Sequence, residues 1–183
     1  MKKNKQLHFL APLFLLVSTI AGAQPSQTPA QADDRGYIVK VGDQAPDDFE
    51  LVLNNGKTTS LKQLRGKVVV LQFTASWCSV CRSEMPHLES DVWVANQQKS
   101  FVLIGVDRDE PIEKVQKFHD DMHITYPLAL DPGADIFGRF ANKKSGVTRN
   151  VVIDQKGKIV YLTRLYNPDE FSQMVKVING LVN

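Results

Sequence analysis

The stretch Lys67-Val68-Val69-Val70-Leu71-Gln72-Phe73-Thr74-Ala75-Ser76-Trp77-Cys78-Ser79-Val80-Cys81 decides how the chain is read. Its first half, to Phe73, is a continuous apolar run of buried-strand length. Beyond it, Met85, Leu88, Val92 and Ala95 recur at helical spacing. The two cysteines, the only ones in 183 residues, stand where a strand hands over to a helix. Residues three apart share a helical face, so both sulfurs meet at the first turn.

A helix start carries N–H groups without intrahelical partners and the positive end of the peptide dipole, and both favour an anion. A thiolate is stabilised there, and the thiolate is the nucleophile of disulfide exchange. Cys78, nearer the exposed end, is the expected attacking group; Cys81, a turn inward, resolves the mixed disulfide. Two plainer readings weigh less. A zinc half-site lacks a second cysteine pair, and His119 and His123 do not follow the cysteines at finger spacing. A static disulfide across so short a loop would constrain the unfolded chain little.

Trp77-Cys78-x-x-Cys81 after an apolar strand resembles the thioredoxin superfamily, and Pro86 matches the proline that kinks that family's active-site helix. The longer string Cys78-x-x-Cys81-Arg82-x-Glu84-x-Pro86 resembles the TlpA/ResA branch of exported thiol–disulfide oxidoreductases, a redoxin-related group. So does Val41-Gly42-Asp43-Gln44-Ala45-Pro46-Asp47-Asp48-Phe49, which carries one Asp more than that branch's entry motif. The resemblance covers residues 40–183.

Residues 1–23 read as a cleaved export signal: Lys2, Lys3 and Lys5, then the largely apolar Leu10 to Ile20, then Ala21-Gly22-Ala23 as a small-x-small cleavage site. The alternative is an uncleaved N-terminal membrane anchor, for which the apolar core is short. No cysteine stands at the cleavage site, which excludes a lipoprotein. Three of the 22 basic residues lie in this segment, leaving 19 against 20 acidic ones, so the formal charge of +2 becomes −1. No basic patch remains to suggest nucleic acid. Residues 24–36, rich in Gln, Pro, Ala, Ser and Asp, read as a flexible linker. Residues 37–183 are enough for one core, and they read as a single thioredoxin-like domain.

Within that domain Asn54-Asn55-Gly56 marks a hairpin between Phe49–Val52 and Lys57–Ser60, and Ser60–Gly66 a short helical turn ended by glycine. Phe101–Val106 is a second buried strand. Pro111 opens a helix with Ile112, Val115, Phe118 or His119, and Met122 inward. Pro127–Leu130 reads as a strand, and Ala134–Phe140 as one short helix. Val151–Asp154 and Lys158–Leu162 form a second hairpin. Asn167, Pro168 and Glu170 start a last helix with a capping-box-like pattern, its apolar face Phe171, Met174, Val175, Ile178 and Leu181. The expected fold is α/β: a mixed central sheet with helices on both faces. It matches a thioredoxin fold with an N-terminal β-hairpin extension and an inserted strand–helix unit, as the resemblance implies. In open α/β sheets the functional crevice lies beyond the strand carboxyl ends, where the cysteines stand.

Around the cysteines, Trp77 offers partners a flat apolar surface by the resemblance, or simply packs. Glu84, three residues past Cys81, either exchanges a proton with Cys81 from a desolvated position or is a solvated carboxylate paired with Arg82 or a lysine. Gln72 stands where thioredoxin has a buried aspartate and cannot ionise, which shifts the proton role toward Glu84 or water. Thr148 replaces the family's usual cis-proline, and a trans Val147–Thr148 bond is expected because a non-proline cis bond costs about 3 kcal/mol. Thr148 then brings a hydroxyl close to Cys78, and its loop binds the partner backbone with altered preference. Arg149 lowers the Cys78 pKa, binds an acidic partner group, or forms a surface ion pair.

The resemblance implies a periplasmic thiol–disulfide oxidoreductase that reduces disulfides of exported proteins through Cys78 and Cys81, with no dissociable cofactor. Apocytochrome c cysteines are candidate substrates, and a membrane thiol–disulfide electron donor of the DsbD/CcdA type the candidate partner. Two other classes stay open. A thiol peroxidase is suggested by Thr148-Arg149, but Ala75 and Leu71 stand where the peroxiredoxin pattern needs Thr or Ser and proline. A copper chaperone would use Cys78, Cys81 and a histidine such as His87, but no histidine follows His123.

Overall fold

The computed structural model describes residues 35–182. The signal expected over residues 1–23, and residues 24–34 of the expected linker, lie outside the described residues. Arg35 and Gly36, the end of that linker, are tied to the domain. Arg35 pairs with Glu170 at 2.5 Å, and the Gly36 carbonyl accepts the Asn142 N–H at 2.9 Å.

Strand β3 (Val68–Thr74) is buried at every position, which is why it reads as a run and not as an alternation. It pairs in parallel with β4 (Phe101–Arg108), and β4 in parallel with β5 (Leu128–Asp131). On its other side β3 pairs antiparallel with β6 (Arg149–Ile153), and β6 with β7 (Ile159–Arg164). The hairpin β1 (Leu51–Leu53) and β2 (Thr58–Thr59) closes the far edge, giving the order β2-β1-β5-β4-β3-β6-β7.

Alternate side chains of β3 feed two cores. Val69, Leu71 and Phe73 pack with Phe137 and Phe140 of α3 (Phe137–Phe140) and with the N-terminal segment. Val68 and Val70 pack with Met85, Leu88, Phe118, Phe171 and Met174. The helices α1 (Ser79–His87), α2 (Ile112–Asp121) and α4 (Pro168–Val182) therefore cover that second face. This is the mixed sheet covered on both faces that the sequence predicts. Between β4 and β6 the chain passes through α2, β5 and α3, one strand and one helix more than a single helical connection needs.

Several elements depart from expectation. The active-site helix does not continue as α-helix: Leu88–Val94 is a π segment that follows Pro86, whose ring removes a backbone donor. The inward position after Val92 is Asn96, which is buried, and not Ala95, which is exposed. The helix expected over 134–140 splits into a 3₁₀ turn (Pro132–Ala134) and α3, because Ala134 takes a left-handed φ of 54°. Asp131 then caps the new start, accepting the Ile136 and Phe137 N–H groups at 2.7 and 2.9 Å. Ser60–Gly66 makes turns but no helix. In α2, Phe118 and not His119 is the fully buried residue. At α4, Asn167 Oδ1 accepts the Asp169 and Glu170 N–H groups at 3.0 Å, but Glu170 turns to the Arg164 N–H and to Arg35, so the capping box is half formed.

Strand direction assembles the site. The carboxyl end of β3 delivers the cysteines to α1. Because β6 runs antiparallel with Arg149 opposite Phe73, the residue before β6, Thr148, arrives at that same end.

Candidate active site

Cys78 is the N-cap of α1, with extended backbone (φ −88°, ψ 102°), and its Sγ accepts the Cys81 N–H at 3.1 Å. The sulfurs are joined as a disulfide, with the Cα atoms 5.3 Å apart. Cys78 is 8% exposed and Cys81 fully buried, in keeping with attack by Cys78 and resolution by Cys81. No acidic residue stands in the first turn of α1 to repel a thiolate. Trp77 is 63% exposed beside them, so it is a surface and not a packing residue.

Thr148 faces both sulfurs: its Oγ1 lies 3.1 Å from Cys78 Sγ and 3.3 Å from Cys81 Sγ. Its preceding peptide bond is trans, as expected. The Thr148 carbonyl is held from behind by the Leu165 N–H at 3.2 Å and the Arg164 guanidinium at 3.1 Å. The Thr148 backbone is thus anchored by the end of β7 and the residue after it.

Glu84 is buried, 1% exposed, which replaces the alternative of a solvated carboxylate paired with Arg82 or a lysine. Its Oε1 accepts from Asn150 Nδ2 at 2.7 Å and its Oε2 from Gln72 Nε2 at 3.4 Å. Gln72 in turn accepts the Tyr126 hydroxyl at 2.9 Å, and Asn150 Nδ2 also reaches Thr163 Oγ1 at 2.9 Å. Desolvation pushes the Glu84 pKa up from 4.5 to about 7; the hydrogen bonds from Asn150 and Gln72 pull against it, and Glu170 adds to the rise. Gly105, register partner of Gln72, leaves room for Leu128: a Cβ there would run into Leu128 Cδ2, while Gln72 Oε1 stays at an ordinary contact distance of 3.5 Å.

Arg149 is not a surface residue. It is fully buried, its guanidinium 4.7 Å from the ring centroid of Tyr37 and 4.9 Å from that of Phe137, with Nη1 donating to Ser145 Oγ at 3.2 Å. Its grip is therefore on the 145–148 loop that carries Thr148, and a direct contact with a docked partner does not fit that burial. His87 is exposed and stacks on Tyr166, centroids 5.2 Å apart. Among the described residues no group of three or more His, Cys, Asp or Glu is placed to hold a metal ion.

Sequence reasoning missed Asn150, Tyr126 and the carboxylate under the Cys78 loop. That carboxylate, Glu110, accepts the Ser76 N–H at 2.6 Å and the Ser76 hydroxyl at 2.7 Å. Only the spacing of Thr148, just before β6, and Asn150 within it carried a signal, since alternate residues share a face.

Residues 40–178 match the family model described as Redoxin. The chain is 30% identical over 160 residues to the thiol-disulfide oxidoreductase ResA of Bacillus thuringiensis (strain Al Hakam), covering 87% of this chain and 88% of that protein. Among solved structures it resembles a candidate protein disulfide isomerase of Bacteroides thetaiotaomicron, at 57% identity and a TM-score of 0.78, covering 80% of this chain and 92% of the other. The thioredoxin domain of a thiol-disulfide oxidoreductase of Bacteroides vulgatus is similar at 25% identity and a TM-score of 0.66, over 79% of this chain and 99% of that one.

Proposed function

From the premise that the chain belongs to the Redoxin family and is a thiol–disulfide oxidoreductase acting through Cys78 and Cys81, we propose that it works as a reductant of disulfides in exported proteins. The observation that supports this best is the cysteine pair itself, with Cys78 at the rim of a helix start and Cys81 buried behind it. In the reduced form the Cys78 thiolate attacks one sulfur of the partner disulfide. A mixed disulfide forms, and the partner's other sulfur leaves as a thiolate and takes a proton. Cys81 gives up its proton and attacks Cys78 Sγ, releasing the partner's second thiol and restoring the Cys78–Cys81 disulfide. Two electrons pass to the partner and must be returned by a thiol donor.

Glu84 is the proposed base for Cys81, on the same helical side and close to neutral in its titration. Thr148 donates its hydroxyl to the sulfur that carries charge, and Trp77 gives the partner an apolar contact. Arg149 serves by fixing the loop of Thr148. Export is the reading of residues 1–23; among the described residues no helix is long and apolar enough to cross a membrane. Apocytochrome c as substrate and a DsbD/CcdA-type membrane donor remain the proposed partners, on the resemblance alone.

The test is the equilibrium of the pair with glutathione and with a disulfide-bearing protein. A reductant has a potential at or below about −250 mV, whereas one near about −120 mV marks an oxidant and overturns the direction. Cys78→Ala abolishes exchange, and Cys81→Ser accumulates the mixed disulfide with its partner.

A further inference from the structure

Asp107 lies at the carboxyl end of β4, opposite Thr74 of β3, and is fully buried. No N–H or O–H group among the described residues donates to either of its oxygens. The side chain that acts on it most strongly is another carboxyl, Glu110, three residues on. Glu110 already accepts the Ser76 N–H and hydroxyl, and Lys114 Nζ stands 3.4 Å from its Oε1. A fully buried carboxyl that no donor reaches does not keep its charge beside a second carboxylate, so one of the two must carry a proton. Glu110 is engaged by donors; Asp107 is not. The proton therefore belongs to Asp107.

We propose that Asp107 is a positioning residue for the nucleophile: its carboxyl donates to Glu110, and the pair pins Ser76, two residues before Cys78. The segment Ser76-Trp77 is the approach to Cys78, and Cys78 N in turn donates to the Ala75 carbonyl at 3.1 Å. A pinned Ser76 presents Trp77 and the thiolate to a partner in one register. Desolvation, then Glu110 and Asp131, push the Asp107 pKa up to about 8, and Lys114 opposes them. Burial works against the charge on Glu110 as well, but Ser76 and Lys114 outweigh it and hold that carboxyl below its usual range. The groups around Asp107 are thus Glu110 from the β4–α2 loop, Asp131 from β5 and Lys114 from α2. From α1, Arg82 reaches the Ser76 carbonyl at 3.5 Å. Once Asp107 ionises, its hydrogen is gone and a second negative charge meets Glu110, so the grip on Ser76 weakens.

The activity arm rests on the disulfide exchange assigned above; the spectroscopic arm does not. Carboxyl ¹³C NMR of the oxidised full chain, with Asp107→Asn to assign the signal, follows Asp107 from pH 5 to 10. A protonated carboxyl at pH 6 that titrates near pH 8 is expected, and a carboxylate at pH 6 overturns the proposal whatever the activity. In parallel, insulin reduction and amide exchange at Ser76 and Trp77 are followed from pH 6 to 9.5. The parent loses rate and gains exchange through about pH 8, while Asp107→Asn, which keeps a donor and cannot ionise, lacks that inflection. At pH 7, Asp107→Leu shows about tenfold faster exchange at Ser76 than Asp107→Asn, the size of one lost charge-assisted hydrogen bond. If the leucine variant fails to fold, the comparison of parent with Asp107→Asn decides alone. Superimposable pH profiles for those two refute the positioning role.

Discussion

Replacing Glu84 by glutamine separates the cost of a buried acid from its use. The unfolded chain ionises this carboxyl near 4.5 and the folded chain at about 7. The fold therefore binds the proton more tightly than the unfolded chain does. Its stability is fully present below pH 4.5 and falls as pH rises through about 7. Because the group is almost wholly buried, little solvent screening applies, and the interval corresponds to about 3 kcal/mol. The amide of Glu84→Gln cannot ionise, so this variant escapes the loss. At pH 4.5 it is expected to match the parent or fall about 1 kcal/mol below it, since an amide places one donor against Asn150 or Gln72. At pH 8 its stability relative to the parent rises by about 3 kcal/mol. Urea unfolding of the disulfide-closed proteins from pH 4 to 8.5 reads this directly, with both cysteines held out of the titration. Parallel stability curves for parent and variant would refute the buried, proton-binding Glu84. The reduced proteins complete the experiment: resolution of a mixed disulfide by Cys81 loses its inflection near pH 7 in the variant, and an unchanged profile removes Glu84 from proton transfer.

Other substitutions test the remaining parts. Trp77→Ala leaves stability within about 0.5 kcal/mol of the parent, since the ring is mostly exposed. It slows exchange with a protein disulfide more than with oxidised glutathione; equal slowing speaks against a docking role. Thr148→Val removes the hydroxyl from both sulfurs and raises the Cys78 pKa, measured by the pH dependence of iodoacetamide alkylation. Thr148→Pro changes the ranking of disulfide substrates in competition assays, and an unaltered ranking counts against the loop as a partner contact. Gly105→Ala drives a methyl into Leu128, costing about 1–3 kcal/mol in urea unfolding.

What the sequence makes legible follows the range of the interactions involved. The run Val68–Phe73 and the paired cysteines are local patterns, and strand, helix start and redox pair stand where those patterns put them. Element bounds fail where a tertiary contact competes. Asp131 recruits the Ile136 and Phe137 N–H groups and breaks one expected helix into two short turns. Glu170 leaves its capping box for Arg164 and Arg35. Asn96, four residues beyond Val92, takes the buried position, and a reading that follows apolar residues alone passes over a buried amide. The burial of Glu84 depends on Asn150, Gln72 and Tyr126, drawn from three strands or their approaches, and no spacing in the chain announces their meeting. For Arg149 the sequence leaves a role at Cys78, a partner contact and a surface ion pair side by side, and it does not show the two aromatic rings that take the guanidinium inside.

The single hydroxyl that touches both sulfurs has one more effect. During a catalytic cycle negative charge moves from Cys78 to Cys81 and back, a displacement smaller than the distance between neighbouring residues. Thr148 Oγ1 stands within reach of both stations, so its hydrogen follows the charge by turning about one bond, with the backbone at rest. A ring in its place offers no such swivelling donor, and a chain built that way must stabilise its two thiolates by separate means.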